Sequence, residues 1–174
     1  LVYLAIEYLA SGKPAEAEPH AKEACELADG FNGKTSDEHV WAKFVLGTTY
    51  NLEGKKEDAE KAFADALETA RSMELSSQQE LGELTRGLGV LFEYKQYAPA
   101  ASLCNILLTR SRKIPEAPEK NILDLELQAI IANSKNGDMA KTRDVFAQYK
   151  ADVDKFERIE KEKERRLQSA KTYL

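Results

Sequence analysis

Small and aromatic residues recur along this chain at nearly constant distances, and this recurrence limits the folds open to it. The segment Leu46-Gly47-x2-Tyr50-x8-Ala59-x3-Phe63-x2-Ala66 is matched earlier by Leu4-Ala5-x2-Tyr8-x8-Ala17-x3-Ala21-x2-Ala24. The equivalent small positions Ala17, Ala59, Ala100 and Thr142 are separated by 42, 41 and 42 residues. Self-similarity at a period of roughly 20–50 residues is typical of repeat proteins, whose units stack on their neighbours. We therefore expect a stack of repeated units.

Two later copies of the pattern are weaker. The third reads Leu88-Gly89-x2-Phe92 and continues to Ala100, Cys104 and Leu107, with one residue fewer in the turn. The fourth keeps Ala129, Asn133, Gly137-Asp138 and Phe146, with Thr142 at the small position. The sequence therefore predicts four repeats, over about residues 1–34, 35–75, 76–117 and 118–149, in one domain over 1–149.

Caps and breakers divide the chain into eight predicted helices. Thr35-Ser-Asp-Glu38 and Ser76-Ser-Gln-Gln79 have the form of capping boxes, which predict the starts of the third and fifth helices. The fifth helix is predicted to reach about Tyr94, and Ile114–Pro118 reads as a loop. Alternating runs of β-branched residues are absent, so the predicted fold class is all-α.

The small residues of the pattern have a physical role. Gly or Ala on the first helix and Ala on the second allow two antiparallel helices to approach closely, and the aromatic positions fill the space between hairpins. The pattern resembles the tetratricopeptide repeat over about Leu1 to Lys150. The resemblance implies an α-solenoid of four antiparallel helical hairpins wound into a right-handed superhelix. The usual period is about 34 residues. The longer period here, and the loop Gly33–His39, resemble the kinesin-light-chain subtype.

Residues 150–174 are predicted to form a charged C-terminal helical extension. Phe146, Tyr149, Val153 and Phe156 make an apolar stripe, and the run 157–166 that follows carries Ile159 as its one apolar residue. Two interpretations remain open. The helix could cap the last repeat, because a solenoid needs a polar end. It could instead project and dock a partner or join copies of the chain as a homo-oligomer.

The resemblance implies that the first helix of each pair lines an inner groove that holds a partner peptide. By position, the candidate groove residues are Val2, Ile6, Leu9, Trp41, Phe44, Thr48, Asn51, Arg86, Val90 and Glu93. Arg86 is the one cation among them, so neither the carboxylate clamp of chaperone-binding relatives nor the basic groove of kinesin light chains is expected. Trp41 has two open interpretations: packing against the preceding hairpin, or anchoring a ligand.

Motifs for catalysis, metal or cofactor binding are absent from the sequence. Neither His20 nor His39 has a partner at a spacing that would form a metal pair or a base–nucleophile pair, and no phosphate-binding glycine motif occurs. We therefore predict no enzyme activity and no cofactor. A net charge of −5 argues against nucleic-acid partners.

The cysteines and the apolar runs bear on the compartment. Cys25 and Cys104 lie in helical patterns without a CxxC motif, and buried reduced thiols are favoured over a disulfide. This favours a cytoplasmic setting. No run approaches the roughly 20 apolar residues of a membrane span. The chain opens on Leu1 within a helical pattern, so we expect it to be part of a longer protein.

Three functional hypotheses follow from these predictions. The first is an interaction scaffold or adaptor that binds a partner peptide or helix in the inner groove. The second is a structural or self-assembly module whose groove is filled by its own C-terminal helix or by another copy. The third is the regulatory domain of a larger enzyme or transcription regulator.

Overall fold

The computed structural model describes residues 1–31, 36–74, 78–114 and 119–171, and these ranges are helical apart from short turns. Their helices pack as consecutive antiparallel hairpins: α1 on α2, α3 on α4, α6 on α7 and α8 on α9. The predicted all-α architecture is confirmed, and the described ranges hold no strand. The helices are α1 (Val2–Ala10), α2 (Pro14–Phe31), α3 (Asp37–Leu52), α4 (Lys56–Ser72), α5 (Gln78–Leu84), α6 (Arg86–Glu93), α7 (Tyr97–Ser111), α8 (Glu119–Lys135) and α9 (Met139–Lys171).

The turns inside the four hairpins have the same construction. Each contains one residue in the left-handed region, and the residue after it donates its N–H to a carbonyl five positions back, which closes the end of the first helix. The left-handed residues are Gly12 (φ 71°), Gly54 (φ 80°), Lys95 (φ 58°) and Gly137 (φ 82°). The bonds are Lys13 to Tyr8, Lys55 to Tyr50, Gln96 to Leu91 and Asp138 to Asn133, at 2.7–2.9 Å. Four hairpins are thus present, including the one whose sequence pattern is weakest.

This common turn corrects the predicted register of the third hairpin. The turn is not one residue shorter there, because Leu91 occupies the place of Tyr50. Leu88 rather than Gly89 therefore corresponds to Gly47. A Cβ added at Gly47 would come within 2.6 Å of the Phe63 ring, so the predicted close approach of the two helices is confirmed in the second hairpin. A Cβ at Gly89 would meet nothing within 4 Å.

The predicted fifth helix is divided at Thr85 into α5 and α6. The Thr85 hydroxyl donates to the Gly82 carbonyl at 2.5 Å, and the Leu88 N–H donates to the Thr85 carbonyl three residues back. A threonine side chain competes with the backbone for such carbonyls, and Gly82 and Gly87 lower the helix propensity around it. The irregular turn allows α6 to lie against α3, where a Cβ at Gly87 would come within 2.7 Å of the Phe44 ring.

We expect Lys95→Gly to stabilise the protein by about 0.5–1 kcal/mol. A side chain in the left-handed region costs roughly 1–2 kcal/mol, and the greater chain entropy of unfolded glycine offsets part of the gain. The reverse change at the equivalent turn, Gly54→Ala, should destabilise. Thermal unfolding measures both, with an expected rise of about 2 °C for Lys95→Gly. Equal melting temperatures for the two variants would contradict the shared turn geometry.

The described cap of α3 and the two cysteines agree with the sequence-based predictions, except for the identity of the capping residue. Ser36, rather than Thr35, caps α3 by accepting the His39 N–H at 3.1 Å. Cys25 and Cys104 are buried and unpaired, and burial raises the pKa of each thiol to about 12, so both are inert core groups. The remaining positions of the predicted loops and capping boxes, Asn32–Thr35, Leu75–Ser77 and Pro115–Pro118, lie outside the described residues.

Helix α9 runs without interruption through residue 150, where the sequence placed the end of the repeat domain. Three residues of the predicted apolar stripe, Tyr149, Val153 and Phe156, are half-buried as expected, and the fourth, Phe146, is not. Phe146 is 48% exposed, whereas Val145 packs on the core and Asp152 is buried. Asp152 forms an ion pair at 3.1 Å with Arg112, just beyond the end of α7, and so joins α9 to the third hairpin.

Candidate protein-binding surface

The first helices of the first three hairpins lie side by side in the order α1, α3, α6. Of the ten predicted groove residues, four are buried between helices and are therefore closed to a partner. These are Leu9 (4% exposed), Phe44 (0%), Thr48 (0%) and Val90 (5%). The placement of these four corrects the sequence assignment. They point into the packing between neighbouring helices, as Phe44 does against Gly87 of α6.

The other six predicted residues remain accessible. Val2, Ile6 and Trp41 are half-buried, and Asn51, Arg86 and Glu93 are exposed. They fall at two ends of the three-helix face, because Val2, Trp41 and Arg86 lie near the N-termini of their helices while Asn51 and Glu93 lie near the C-termini.

Three side chains, one from each first helix, form a row that we call the inner ladder: Tyr3 of α1, Trp41 of α3 and Arg86 of α6. The Tyr3 and Trp41 rings meet edge to face with centroids 5.0 Å apart. The Arg86 guanidinium carbon lies 5.8 Å from the centroid of the Trp41 ring, in a cation–π contact. Tyr3 is 70% exposed. The ladder therefore offers an aromatic surface that ends in a positive charge.

An apolar cavity of about 320 Å³ opens beside the ladder. Its walls come from the start of α1, the end of α2 and the start of α3. Trp41 packs on the core of the first hairpin, as its packing interpretation predicted, and it also lines this cavity; its role as a ligand anchor stays a prediction. The residues that line the cavity are Leu1, Val2, Ala24, Leu27, Ala28, Glu38 and Trp41.

The charges around the ladder are mixed. Burial, together with Glu38 and Glu83 nearby, raises the pKa of Asp37 to about 6. Asp37 and Glu38 begin α3, one turn before Trp41, so acidic groups flank the aromatic surface on the side of the helix N-termini.

The opposite end of the face is more polar and is tied to the turn of the third hairpin. The Asn51 amide donates to the Gln96 side chain at 2.8 Å, and Gln96 donates to the Tyr94 carbonyl at 2.8 Å. Asn51 is therefore a bridge between hairpins as well as an exposed groove residue. Burial, with Glu93 and Glu7 nearby, raises the pKa of Tyr94.

Sequence reasoning missed Tyr3. Positional transfer from the repeat pattern selected Val2, Ile6 and Leu9, which are spaced as one narrow row of a helix. Tyr3 lies three residues before Ile6 and therefore on an adjoining part of the same helix face, and this spacing was the sequence signal that could have identified it. A large aromatic residue at an otherwise unassigned position of the first helix pointed to this row.

The histidines and acidic groups elsewhere form structural contacts. His39 is buried, and its Nδ1 bonds to Asp29 while its Nε2 lies 3.8 Å from Asp65, so the imidazole links α2, α3 and α4. His20 stacks on Tyr8 with ring centroids 5.4 Å apart. Across the described ranges, no group of three His, Cys, Asp or Glu side chains could hold a metal ion. Helices long and apolar enough to cross a bilayer are likewise not found in those ranges.

Comparison with known proteins agrees with the helical-repeat interpretation. Residues 1–72 match the model of the tetratricopeptide repeat family, whose members generally mediate protein–protein interactions and are typically non-catalytic. Curated proteins give no match. The crystal structure of BtubC (BKLC) from P. vanneervenii is similar, with 16% identity and a TM-score of 0.51 over 88% of this chain and 62% of that one. This chain thus spans less than two thirds of that protein, and at this identity the likeness shows the fold alone.

Proposed function

We propose that this chain is a protein-interaction scaffold that binds a segment of a partner protein across α1, α3 and α6. The observation that carries the proposal is the inner ladder of Tyr3, Trp41 and Arg86, in which three successive hairpins present one accessible surface. The match of residues 1–72 to a family of protein-binding repeats supports it. No nucleic acid and no cofactor enter this proposal.

The ladder and its cavity favour a segment anchored by an apolar side chain. Tyrosine, tryptophan and arginine are the residues that most often dominate binding energy at interfaces, because they combine large contact area with polar groups. An apolar side chain would enter the cavity beside Trp41. A carboxylate on the same segment would pair with Arg86, which has no ion pair to a described residue.

The long period supports a finer proposal, that these repeats are of the kinesin-light-chain type. Helices α2 and α4, with 18 and 17 residues, account for the additional length of each unit. The ligand of that type does not transfer with the fold, since the inner face carries Arg86 and no wider basic set.

The binding surface can be tested with peptides selected from a random display library on the wild-type protein. Trp41 is the only tryptophan, so its emission reports occupancy directly. We expect Tyr3→Ala and Arg86→Gln each to weaken the selected peptides about tenfold, because each removes a contact of roughly 1.4 kcal/mol. Both variants keep the reporter, and both side chains are exposed, so the fold should be unchanged.

The matched controls remove an aromatic and a cation from other faces. Phe146→Ala on α9 and Lys61→Gln on α4 alter exposed side chains and should leave the affinity unchanged. If the double variant Tyr3→Ala/Arg86→Gln bound the selected peptides as tightly as the wild type, the inner ladder would not be the binding surface.

Self-association through the C-terminal helix is the second candidate, and exposed apolar residues on the last hairpin favour it. Leu127 and Ile131 of α8, and Met139 and Phe146 of α9, are each 41–50% exposed. Helix α9 packs on α8 and does not lie across α1 and α3, so a second copy rather than the chain's own helix would fill the groove. Replacing Leu127, Ile131, Met139 and Phe146 by serine should then convert an oligomer into the monomer in solution; an unchanged oligomeric state would contradict this candidate.

A further inference from the structure

A second cavity, of about 450 Å³, lies between α4 and α7, on the second helices of the second and third hairpins. It is therefore separate from the inner ladder, which is built from first helices. Three cations line it: Arg71 at the end of α4, Arg110 at the end of α7, and Lys113 just beyond. Among the described residues, none that lines the cavity is acidic, although the chain carries 30 Asp and Glu against 25 Lys and Arg.

The cations of this cavity are not neutralised within the described structure. Arg71, Arg110 and Lys113 form no ion pair with a described residue, whereas Lys22, Lys43, Lys55, Arg112 and Lys141 each pair with a carboxylate. One guanidinium N–H of Arg110 donates to the Arg71 carbonyl, which fixes its head group at the wall between the two helices.

The polar lining adds an amide donor. Asn105 and Thr109 lie one turn apart on α7 and line the cavity together with Lys113, which follows the helix. The Thr109 hydroxyl donates to the Asn105 carbonyl at 2.8 Å and the Ser102 hydroxyl to the Ala98 carbonyl at 3.2 Å. The donors that face the cavity are therefore the three cations and the Asn105 amide. Ile106, 9% exposed, closes the floor.

Helix dipoles explain the positions of some of the three cations around the cavity but not of all of them. A cation in the last turn of a helix is stabilised by the partial negative charge there, and this accounts for Arg71 and Arg110 one at a time. It does not account for Lys113, which follows the helix, or for the convergence of three cations on one cavity whose described lining holds no acidic residue.

We propose that the cavity between α4 and α7 binds a phosphate group through Arg71, Arg110, Lys113 and Asn105. Three cations match a doubly charged oxyanion better than a single carboxylate. Arginine also presents paired N–H groups that fit phosphate oxygens. The group could be inorganic phosphate or a phosphorylated side chain of another protein, and the two share the same recognition chemistry.

The test is a titration of the ¹⁵N-labelled protein with sodium phosphate, compensated by sodium chloride to constant ionic strength. We expect saturable shifts in the amide signals of Arg71 and of residues 105–113. The double variant Arg71→Gln/Lys113→Gln should raise the Kd for phosphate at least tenfold; Arg110 is kept because it holds the Arg71 carbonyl. Both replaced side chains are exposed, and thermal unfolding checks that the fold is retained.

A matched control removes the same charge from the other end of α4. Lys56→Gln/Lys61→Gln should leave phosphate binding unchanged, since both side chains lie at the start of that helix. Shifts that never saturate, or equal weakening in this control, would overturn the proposal, because either would mean general charge screening. Tyr3→Ala/Arg86→Gln should also titrate normally, so failure here is distinct from failure of the inner ladder.

The source of the phosphate group is settled by peptides. A phosphoserine peptide that binds more tightly than inorganic phosphate at the same residues would assign the site to a modified protein, and equal affinities would assign it to the free anion. An unphosphorylated serine peptide that displaces phosphate equally well would overturn phosphate recognition.

Discussion

Replacing Phe44 by alanine is expected to destabilise the protein by about 3–5 kcal/mol. The side chain is 0% exposed and is among the largest that are fully buried. Its ring fills the space between α3 and α6, where it contacts Gly87, and lies 6.4 Å from the ring of Phe63 on α4. Truncation would leave a cavity at the point where the second and third hairpins meet, and glycine offers no side chain to fill it.

Urea unfolding followed by helical circular dichroism measures this loss. Phe146→Ala is the matched control, because it removes the same side chain from an exposed position of α9 and should cost less than about 0.5 kcal/mol. A loss below about 1 kcal/mol for Phe44→Ala would contradict the core assignment. It would return Phe44 to the binding surface that the repeat pattern suggested.

The fold was predictable because repeated local contacts specify it. Gly47 and Phe63 stand 16 positions apart in the sequence pattern and touch in the structure, since only a residue without a side chain allows that approach. The four turns repeat the same left-handed residue, and even Lys95 adopts the conformation that glycine takes elsewhere. Such features lie within one hairpin, so spacing alone reveals them.

The proposed binding surface was less predictable because a helix turns by about 100° per residue. Groove positions that are transferred from one repeat to the next by the repeat period can be wrong by one residue. A shift of one residue is enough to move a side chain from the surface to the core. Val2 was selected, while the exposed ladder residue is its neighbour Tyr3. In the third hairpin the register moves by one residue: Arg86, transferred from the buried Phe44, is exposed, whereas Val90 is buried like Thr48, the position it was transferred from.

Contacts between hairpins left no local signal in the sequence. Asn51 bonds to Gln96, and Arg112 bonds to Asp152, 45 and 40 positions apart. Whether these residues meet depends on the angle by which each hairpin is rotated relative to the preceding one. The repeat period in the sequence does not determine that angle.

The Arg112 contacts join α7, α8 and α9 and predict a second large effect. Arg112 donates to Glu126, which is 0% exposed, and to Asp152 at 3.1 Å. Burial raises the pKa of Glu126 to about 7, Asp152 adds to the rise, and Arg112 opposes it. We expect Arg112→Gln to destabilise the last hairpin by roughly 3 kcal/mol at pH 8, because an ionised Glu126 then stays buried without its cation.

The pH dependence separates this explanation from simple loss of packing. Because the folded pKa of Glu126 lies above its ordinary value of 4.5, the folded state binds a proton that the unfolded state lacks between about pH 7 and pH 4.5. The deficit of Arg112→Gln should therefore shrink as the pH falls from 8 to 5, and Glu126→Gln added to it should restore much of the stability at pH 8. Lys113→Gln, an exposed neighbour, is the control. A deficit that is the same at both pH values, or no recovery in the double variant, would show that Arg112 acts through its packing and not through the buried carboxylate.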